Sequence, residues 1–167
     1  MAAKRSPALD RIDVKILAAL QRDGRSTIQK LAETVGLSPR ASLERVRRLE
    51  ASGVIAGYQA VLELRALSRP VNVFAEIFLE KHANRGRLEK RLNAIDEIVE
   101  CWEVSGAVDY LARFVCADIA AYEELTRELI DDANLGVARI VSHVALRPVR
   151  RFGGYPESLL ARKATES

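Results

Sequence analysis

Apolar residues in the first third of the chain recur with the period of an α-helix. A first helix is predicted because these apolar positions share one face: Leu9, Ile12, Ile16, Leu17 and Leu20. Asp10 is a suitable N-cap, and Gly24 is expected to end the helix in the left-handed conformation. A second helix is predicted in the segment STIQKLAETVG, where Ser26 and Gln29 have the spacing of a capping box.

A short turn separates this second helix from a third. Gly36 favours the end of one helix, Ser38 is the N-cap of the next, and Pro39 takes its first position, where no N–H is needed. Two helices joined so tightly indicate a helix-turn-helix. Gly53 is expected to close the third helix, and the following VIAGYQAVLEL is expected to form two short strands or one strand leading out.

The rest of the chain alternates strand-like and helix-like segments. Their order, from the run that begins at Val71 to the last strand GVARIVSHVALRPVRRF, is βαββαβ, which is typical of a ferredoxin-like unit. We therefore predict an α+β protein with an N-terminal winged-type helix-turn-helix. The expected divisions are a DNA-binding domain over 1–63, a linker over 64–70, a ferredoxin-like domain over 71–152 and a tail over 153–167.

The charge distribution is uneven along the chain. The net charge is +3, but residues 1–63 carry 11 Lys and Arg against 7 Asp and Glu, whereas residues 64–167 carry 15 against 16. The excess of positive charge therefore lies in the helix-turn-helix segment, which suggests a polyanionic partner for that part.

The third predicted helix carries four arginines within nine residues. Side chains near the start of such a helix reach base edges in the major groove of duplex DNA, and Arg pairs bidentately with guanine. An ordinary solvated helix with ion pairs such as Glu44–Arg48 is the alternative. The N-terminus of the second helix offers N–H groups to a phosphate. The predicted DNA-contacting residues are Arg25, Ser38, Arg40, Ala41, Ser42, Arg45 and Arg48.

Signals for catalysis are weak. No phosphate-binding loop, dinucleotide-binding glycine pattern or nucleophile elbow occurs, and neither His82 nor His143 has a partner at metal-ligand spacing. No metal, no cofactor and no enzymatic activity are therefore expected. Since no apolar run approaches the ~20 residues of a membrane span, and the first ten residues lack a signal-peptide core, a cytoplasmic protein is expected.

The segment VSGAVDY lies between two predicted strands and has two interpretations. Gly106 exposes backbone N–H groups and Asp109 supplies a carboxylate, so the turn could bind the carboxylate and ammonium groups of an amino acid. It could equally be an ordinary β-turn.

Several segments together resemble the Lrp/AsnC, or feast/famine, family of transcription regulators: LDRIDVKILAALQRDGR, LAETVGLSPRASLERVRRLEASGVIAGYQAVL, ECWEVSGAVDYL and AYEEL. The resemblance runs from about Leu9 to Arg150. It implies a helix-turn-helix, a linking strand and a ferredoxin-like (RAM/ACT-like) domain that dimerises and senses amino acids or related metabolites. It also implies homodimers that assemble into tetramers or octamers. Two-fold pairing would place two recognition helices in successive major grooves of double-stranded DNA, so a palindromic operator is expected.

The resemblance also implies which residues bind the effector. The family's effector loop corresponds to Ser105, Gly106, Ala107, Val108, Asp109 and Tyr110, which Ser142, His143 and Val144 face from a neighbouring position. Family members usually carry an acidic residue where this chain has Ala107, so the identity of the effector does not transfer. The expected function is an effector-controlled regulator of amino-acid metabolism. The alternatives are an architectural DNA-wrapping protein with little effector response and a ligand-binding metabolic subunit.

Overall fold

The computed structural model of the chain describes residues 9–161. These residues fall into two compact units. The first contains the chain up to Val61 and again from Arg150 onward, and the second contains Leu62–Val149. The first unit holds helices α1 (Arg11–Arg22), α2 (Ile28–Val35) and α3 (Pro39–Ala51).

The helix starts follow local capping chemistry. Asp10 is confirmed as the N-cap of α1, where its carboxylate accepts two backbone N–H bonds and Asp13 completes a capping box. The prediction for α2 was wrong by one residue, because Thr27 and not Ser26 caps that helix. Gly24 does not adopt the left-handed conformation, and α1 ends instead on Asp23.

The predicted turn before α3 is confirmed. Gly36 has a φ of 72°, a conformation that favours glycine, and the Ser38 hydroxyl accepts the N–H of Ala41 at 3.3 Å. Pro39 occupies the first position of α3, and Gly53 follows that helix with a φ of 77°. The short turn between the two helices was therefore predictable from the conformational and capping preferences of these residues.

The prediction of strands after α3 was wrong. Within the described part of the chain, residues 54–63 form no strand, and a single 3₁₀ turn follows at Leu64–Ala66. Val54 and Ile55 pack against the core of the first unit, and the Ile55 N–H bonds to the Leu49 carbonyl at 3.1 Å. A strand needs a neighbouring strand to bond to, and within residues 9–161 the strand pairings involve only the four strands of the second unit.

The core of the first unit is built from all three helices. It consists of Ile16, Leu17, Leu31, Val35, Val46 and Leu49. The C-terminal segment returns to this unit, where a short helix α6 (Glu157–Leu160) contributes Leu160 to the same cluster. Gln21 of α1 holds this segment through two hydrogen bonds with the backbone of Tyr155, at 2.6 and 3.3 Å. Residues 153–161 of the tail, for which no structure was predicted, are thus part of the first unit.

The second unit confirms the predicted βαββαβ order. Its elements are β1 (Val71–Leu79), α4 (Arg85–Leu92), β2 (Ile98–Glu103), β3 (Tyr110–Cys116), α5 (Ile119–Asp131) and β4 (Val137–Val144). The four strands form one antiparallel sheet in the order β2-β3-β1-β4. This is the topology of a ferredoxin-like fold, with both helices connecting strands that are not consecutive neighbours.

The two faces of this sheet differ in environment. One face packs with α4 and α5 around residues such as Val73, Ile77 and Phe114. The opposite face leaves large apolar side chains exposed, including Phe74 and Trp102.

The last strand is shorter than predicted. It ends at Val144, because its partner β1 begins at Val71, and the extended chain beyond it runs towards a proline, which has no N–H to give a ladder. Among the helices of residues 9–161, none combines the length and the apolar character needed to cross a membrane.

Candidate functional site

The solvent-facing side of α3 carries two arginines. The side chain of Arg40 is 91% exposed and lies near Glu44, with a nitrogen-to-oxygen distance of 3.4 Å. Arg47 is also exposed, two helical turns further along. Sequence reasoning did not select Arg47, although its spacing of seven residues from Arg40 would have placed both on one side.

Arg45 and Arg48 point instead towards α1. The Asp13 carboxylate is buried, with 1% of its side chain exposed, and accepts Arg45 Nη1 at 2.8 Å and Arg48 Nη2 at 2.7 Å. Arg45 Nη1 also donates to Asp10 at 2.6 Å. The alternative interpretation of α3 proposed an ion pair between Glu44 and Arg48, but Arg48 pairs with Asp13 instead. The residues Asp10, Asp13, Arg45 and Arg48 form a cluster that joins two helices and is called the Asp13 cluster here.

Hydrogen bonds within the Asp13 cluster favour the charged forms of Asp10 and Arg45. The pKa of Asp10 lies below its ordinary value, first because the backbone N–H of Asp13 bonds to its carboxylate and then because Arg45 does so. The pKa of Arg45 is raised by its hydrogen bonds to Asp10 and Asp13. Asp10 and Arg45 consequently stay ionised at neutral pH.

The structure contradicts the predicted DNA contact of Ser42. It was expected to reach base edges from the start of α3, but the structure buries it completely between the helices. Because Ser42 lies two residues after Arg40, it is rotated by about 200° to the core side of the helix. Its hydroxyl has no hydrogen-bond partner among the residues that the structure describes. Ala41, next to it, is partly exposed.

The other predicted DNA-contacting residues lie around the turn between α2 and α3 and at the start of α2. Arg25 is exposed, and its backbone N–H donates to the Asp23 carboxylate at 3.1 Å. Ser38 is exposed, but its hydroxyl is engaged as the N-cap of α3. The first N–H groups of α2 remain available beyond the bond that Thr27 accepts from Lys30.

The predicted effector loop forms the hairpin turn between β2 and β3. Gly106 has a φ of 116°, which side-chain-bearing residues rarely adopt, and Ser105 and Ala107 are exposed beside it. Val108 is half-buried. The turn is thus a real hairpin with accessible backbone, which fits both of its sequence interpretations.

Asp109 is already engaged by its own chain. Its carboxylate accepts the backbone N–H of Leu79 at 2.9 Å and Arg85 Nη2 at 2.5 Å. The pKa of Asp109 is lowered chiefly by the Leu79 N–H and secondly by Arg85. Arg85 also pairs with Glu103 at 3.1 Å, so it ties α4 to both sides of the hairpin. No sequence signal singled out Arg85, because its partners lie 18 and 24 residues away.

Tyr110 does not share the exposed surface of the turn. Only 2% of it is accessible, and its hydroxyl donates to Glu89 of α4 at 2.8 Å. The reason is the two-residue period of β3, which directs Tyr110 to the helix-covered face of the sheet. The expectation that Tyr110 lines an open effector site is therefore not met within one chain.

The three residues predicted on β4 point to both faces of the sheet. Ser142 contacts the hydroxyl of Tyr122 on the helix side, whereas His143 lies on the opposite face, 3.4 Å from Glu76. Val144 is exposed. In the strand register, Ser142 pairs with Ala75 while Tyr110 pairs with Ile77, so these residues and the hairpin turn do not converge into one site of a single chain.

A shallow apolar cavity of about 310 Å³ lies on the exposed face of the sheet. Its lining is Phe74, Glu76, Trp102, Leu111, Ala112 and His143. Its only charged or titratable members are Glu76 and His143, which face each other. Within residues 9–161, no group of three His, Cys, Asp or Glu side chains is placed to hold a metal ion.

Comparison with known families agrees with this two-unit architecture. Residues 9–56 match the family described as a winged helix-turn-helix DNA-binding domain, and residues 72–154 match the Lrp/AsnC ligand-binding domain. The chain belongs to the Lrp/AsnC family. Its α+β fold class, with a ferredoxin-like second unit, is thereby confirmed.

Similar proteins support the same membership. The transcriptional regulatory protein DoeX of Halomonas elongata is 41% identical over 146 residues, which cover 86% of this chain and 91% of the relative. The Bkd operon transcriptional regulator of Pseudomonas aeruginosa is 41% identical, with 84% and 93% covered. An AsnC-family regulator from Agrobacterium tumefaciens has a similar structure, with a TM-score of 0.82, 32% identity, and 91% and 99% of the two chains covered. A regulator from Neisseria meningitidis in complex with L-Met has a TM-score of 0.80 at 27% identity, with the same coverage.

Proposed function

We propose that this Lrp/AsnC protein is a cytoplasmic, sequence-specific DNA-binding regulator of transcription in amino-acid metabolism. The observation that carries the proposal is the exposed arginine-bearing face of α3, which follows a tight turn in a unit of winged helix-turn-helix type. The similar proteins DoeX and the Bkd operon regulator are themselves named as transcriptional regulators. Arg40, at the start of α3, is the side chain best placed for a base contact.

The proposed control is by a small-molecule effector, an amino acid or a related metabolite. The second unit matches a ligand-binding family, and the similar Neisseria meningitidis regulator was crystallised with L-Met. The proposed site combines Ser105, Gly106, Ala107, Val108 and Asp109 with Ser142, His143 and Val144 of a neighbouring subunit. Effector binding acts by favouring one assembly or arrangement over another, since differential affinity is the source of such control.

A homodimer is the proposed basic assembly, with tetramers or octamers built from it. The exposed sheet face offers Phe74, Trp102 and Leu111 as a self-complementary apolar surface, which a second copy of the same face can bury. Two-fold symmetry then presents two α3 helices to a palindromic operator in duplex DNA. The domain divisions predicted from the sequence, with a linker over 64–70, belong to this proposal.

The experiment begins with DNA selection. The full-length protein is incubated with a pool of random duplexes, and the enriched sequence is compared with its scrambled version over a range of salt concentrations. Enrichment of a palindrome supports the proposal, and binding that ignores sequence favours an architectural DNA-wrapping protein. Arg40→Ala is expected to reduce the preference for the selected site, whereas equal losses on both duplexes would exclude a base contact by Arg40.

Effector control is tested by thermal melting against the twenty amino acids and common catabolites. A ligand present at 100 times its dissociation constant stabilises the folded state by about 2.7 kcal/mol, a shift that melting curves resolve easily. One clear hit that also changes DNA affinity supports the proposal. A ligand that shifts melting without affecting DNA binding would contradict the effector role.

A further inference from the structure

The burial pattern of α3 defines which of its side chains can meet a large partner. Ser42, Val46 and Leu49 are buried at spacings of four and three residues, and they form the inner stripe of the helix. Arg40, Glu44 and Arg47 repeat the same spacing two residues earlier. Two residues turn a helix by about 200°, so this second set forms the outer stripe, directly opposite the core.

The remaining arginines of α3 flank the outer stripe and are held by α1. Asp13 Oδ1 accepts both Arg45 Nη1 and Arg48 Nη2, and Asp13 Oδ2 accepts Arg48 Nη2 and the backbone N–H of Asp10. Only 25% of the Arg45 side chain is exposed, whereas 55% of the Arg48 side chain is, so Arg48 is held mainly by the two bonds from its Nη2 to Asp13. The donors that Arg45 and Arg48 would offer to DNA are therefore partly used inside the protein.

Burial makes these contacts hard to exchange for phosphate contacts. A carboxylate with 1% exposure is strongly disfavoured once its cationic partners leave, because the charge is then neither hydrated nor paired. Two arginines on one carboxylate also fix the rotation of α3 about its own axis relative to α1, since both attachment points lie one turn apart on the same side. The Asp13 cluster thus sets which stripe of α3 faces outward.

We propose that Asp13 is a positioning residue for DNA recognition, which keeps Arg45 and Arg48 away from DNA and leaves Arg47, beside Arg40, as a second direct DNA contact of α3. This inference rests on the proposed DNA-binding function and states which side chains of α3 contact the DNA. It reverses the sequence-based expectation for Arg45 and Arg48 and adds Arg47, which that expectation omitted.

Single arginine variants of the full-length protein test the contact assignment. Arg47→Ala is expected to weaken binding to the selected duplex at least tenfold. If Arg47 contacts a phosphate, the variant should also reduce the salt slope, which is the slope of log affinity against log salt concentration, by about one per subunit. Arg48→Ala is expected to lower the melting temperature more and the salt slope less. Arg127→Ala, which removes an exposed arginine from α5, is the control for net charge and should change affinity less than twofold.

Asp13→Asn tests the positioning role with a side chain of the same shape. Release of Arg45 and Arg48 is expected to raise affinity for the scrambled duplex, steepen the salt slope by about one to two per subunit and reduce the preference for the selected site. A purely structural role would lower the melting temperature but leave preference and salt slope unchanged well below it. Asp10→Asn keeps the helix cap, removes one partner of Arg45 and should give a smaller change in the same direction.

The outcomes separate the inference from the proposed function. Wild-type protein without salt-dependent affinity for any duplex would refute the function itself. Wild-type binding together with an Arg47→Ala variant that behaves like Arg127→Ala would refute only the contact assignment. Should Asp13→Asn fail to fold, Asp10→Asn and Arg48→Ala decide the positioning role, and a larger loss of salt slope in Arg48→Ala than in Arg47→Ala would overturn it.

Discussion

Replacing Ser42 by alanine is expected to stabilise the protein. The Ser42 hydroxyl is fully buried and has no hydrogen-bond partner within residues 9–161. Burying an unpaired hydroxyl costs about 1–3 kcal/mol by mutational data. Alanine removes that cost and has a helix propensity better by about 0.5 kcal/mol, while the loss of one oxygen from the core subtracts a smaller packing contribution. The net gain is expected to be about 1 kcal/mol.

The measurement is thermal unfolding of the full-length protein, followed by the helical signal in circular dichroism. A gain of about 1 kcal/mol corresponds to a rise of roughly 4–8 °C in the melting temperature of a unit of this size. Ser38→Ala is the matched control, since it makes the same substitution four residues earlier. There the hydroxyl accepts the Ala41 N–H as the N-cap of α3, so its loss should cost about 1 kcal/mol.

Opposite signs for these two serine variants are the central expectation. A Ser42→Ala protein that is less stable than wild type by more than about 0.5 kcal/mol would refute the argument, because the hydroxyl would then have a partner worth more than its burial costs. DNA preference should remain unchanged in this variant. A relaxed preference at one base pair would restore Ser42 as a base-contacting residue.

Three further predictions concern the hairpin, the C-terminal segment and the sheet face. The pKa of Asp109 is lowered on folding, so its contribution to stability is present above about pH 4 and is lost as the pH falls through the lowered value. The melting temperatures of wild type and Asp109→Asn should therefore differ at pH 7, and the difference should shrink as the pH is lowered below about 4. Gly154→Ala should lower the melting temperature and speed proteolysis near the C-terminus, because Gly154 has a φ of 104° and an added Cβ would lie 2.9 Å from the Gln21 side chain. Gly153→Ala is the control, since a Cβ added there meets nothing within 4 Å. Trp102→Glu should shift the assembly towards monomers in light scattering, since it places a charge on the exposed apolar face; an unchanged mass would count against that face as the dimer contact.

Local chemistry of the sequence determined most of the elements. The Gly36–Ser38–Pro39 turn was predictable because glycine, serine and proline each satisfy a conformational or hydrogen-bonding need within a few residues. The βαββαβ order was predictable because the apolar period changes from 3.6 to 2 along the chain. Both properties depend on near neighbours, and the resemblance to the Lrp/AsnC family rests on the same local segments.

Tertiary structure alone decided how those elements are used. Asp13 lies 32 residues before Arg45, and nothing in their spacing shows that a buried carboxylate would hold two arginines of α3. The same limit applies to Asp109, whose partners come from β1 and α4, and to Tyr110, whose side of the sheet depends on the strand register. Periodicity shows which side chains share a face, but only packing shows what covers that face. The outer stripe of α3 could therefore be identified only once the structure showed which residues form its inner stripe.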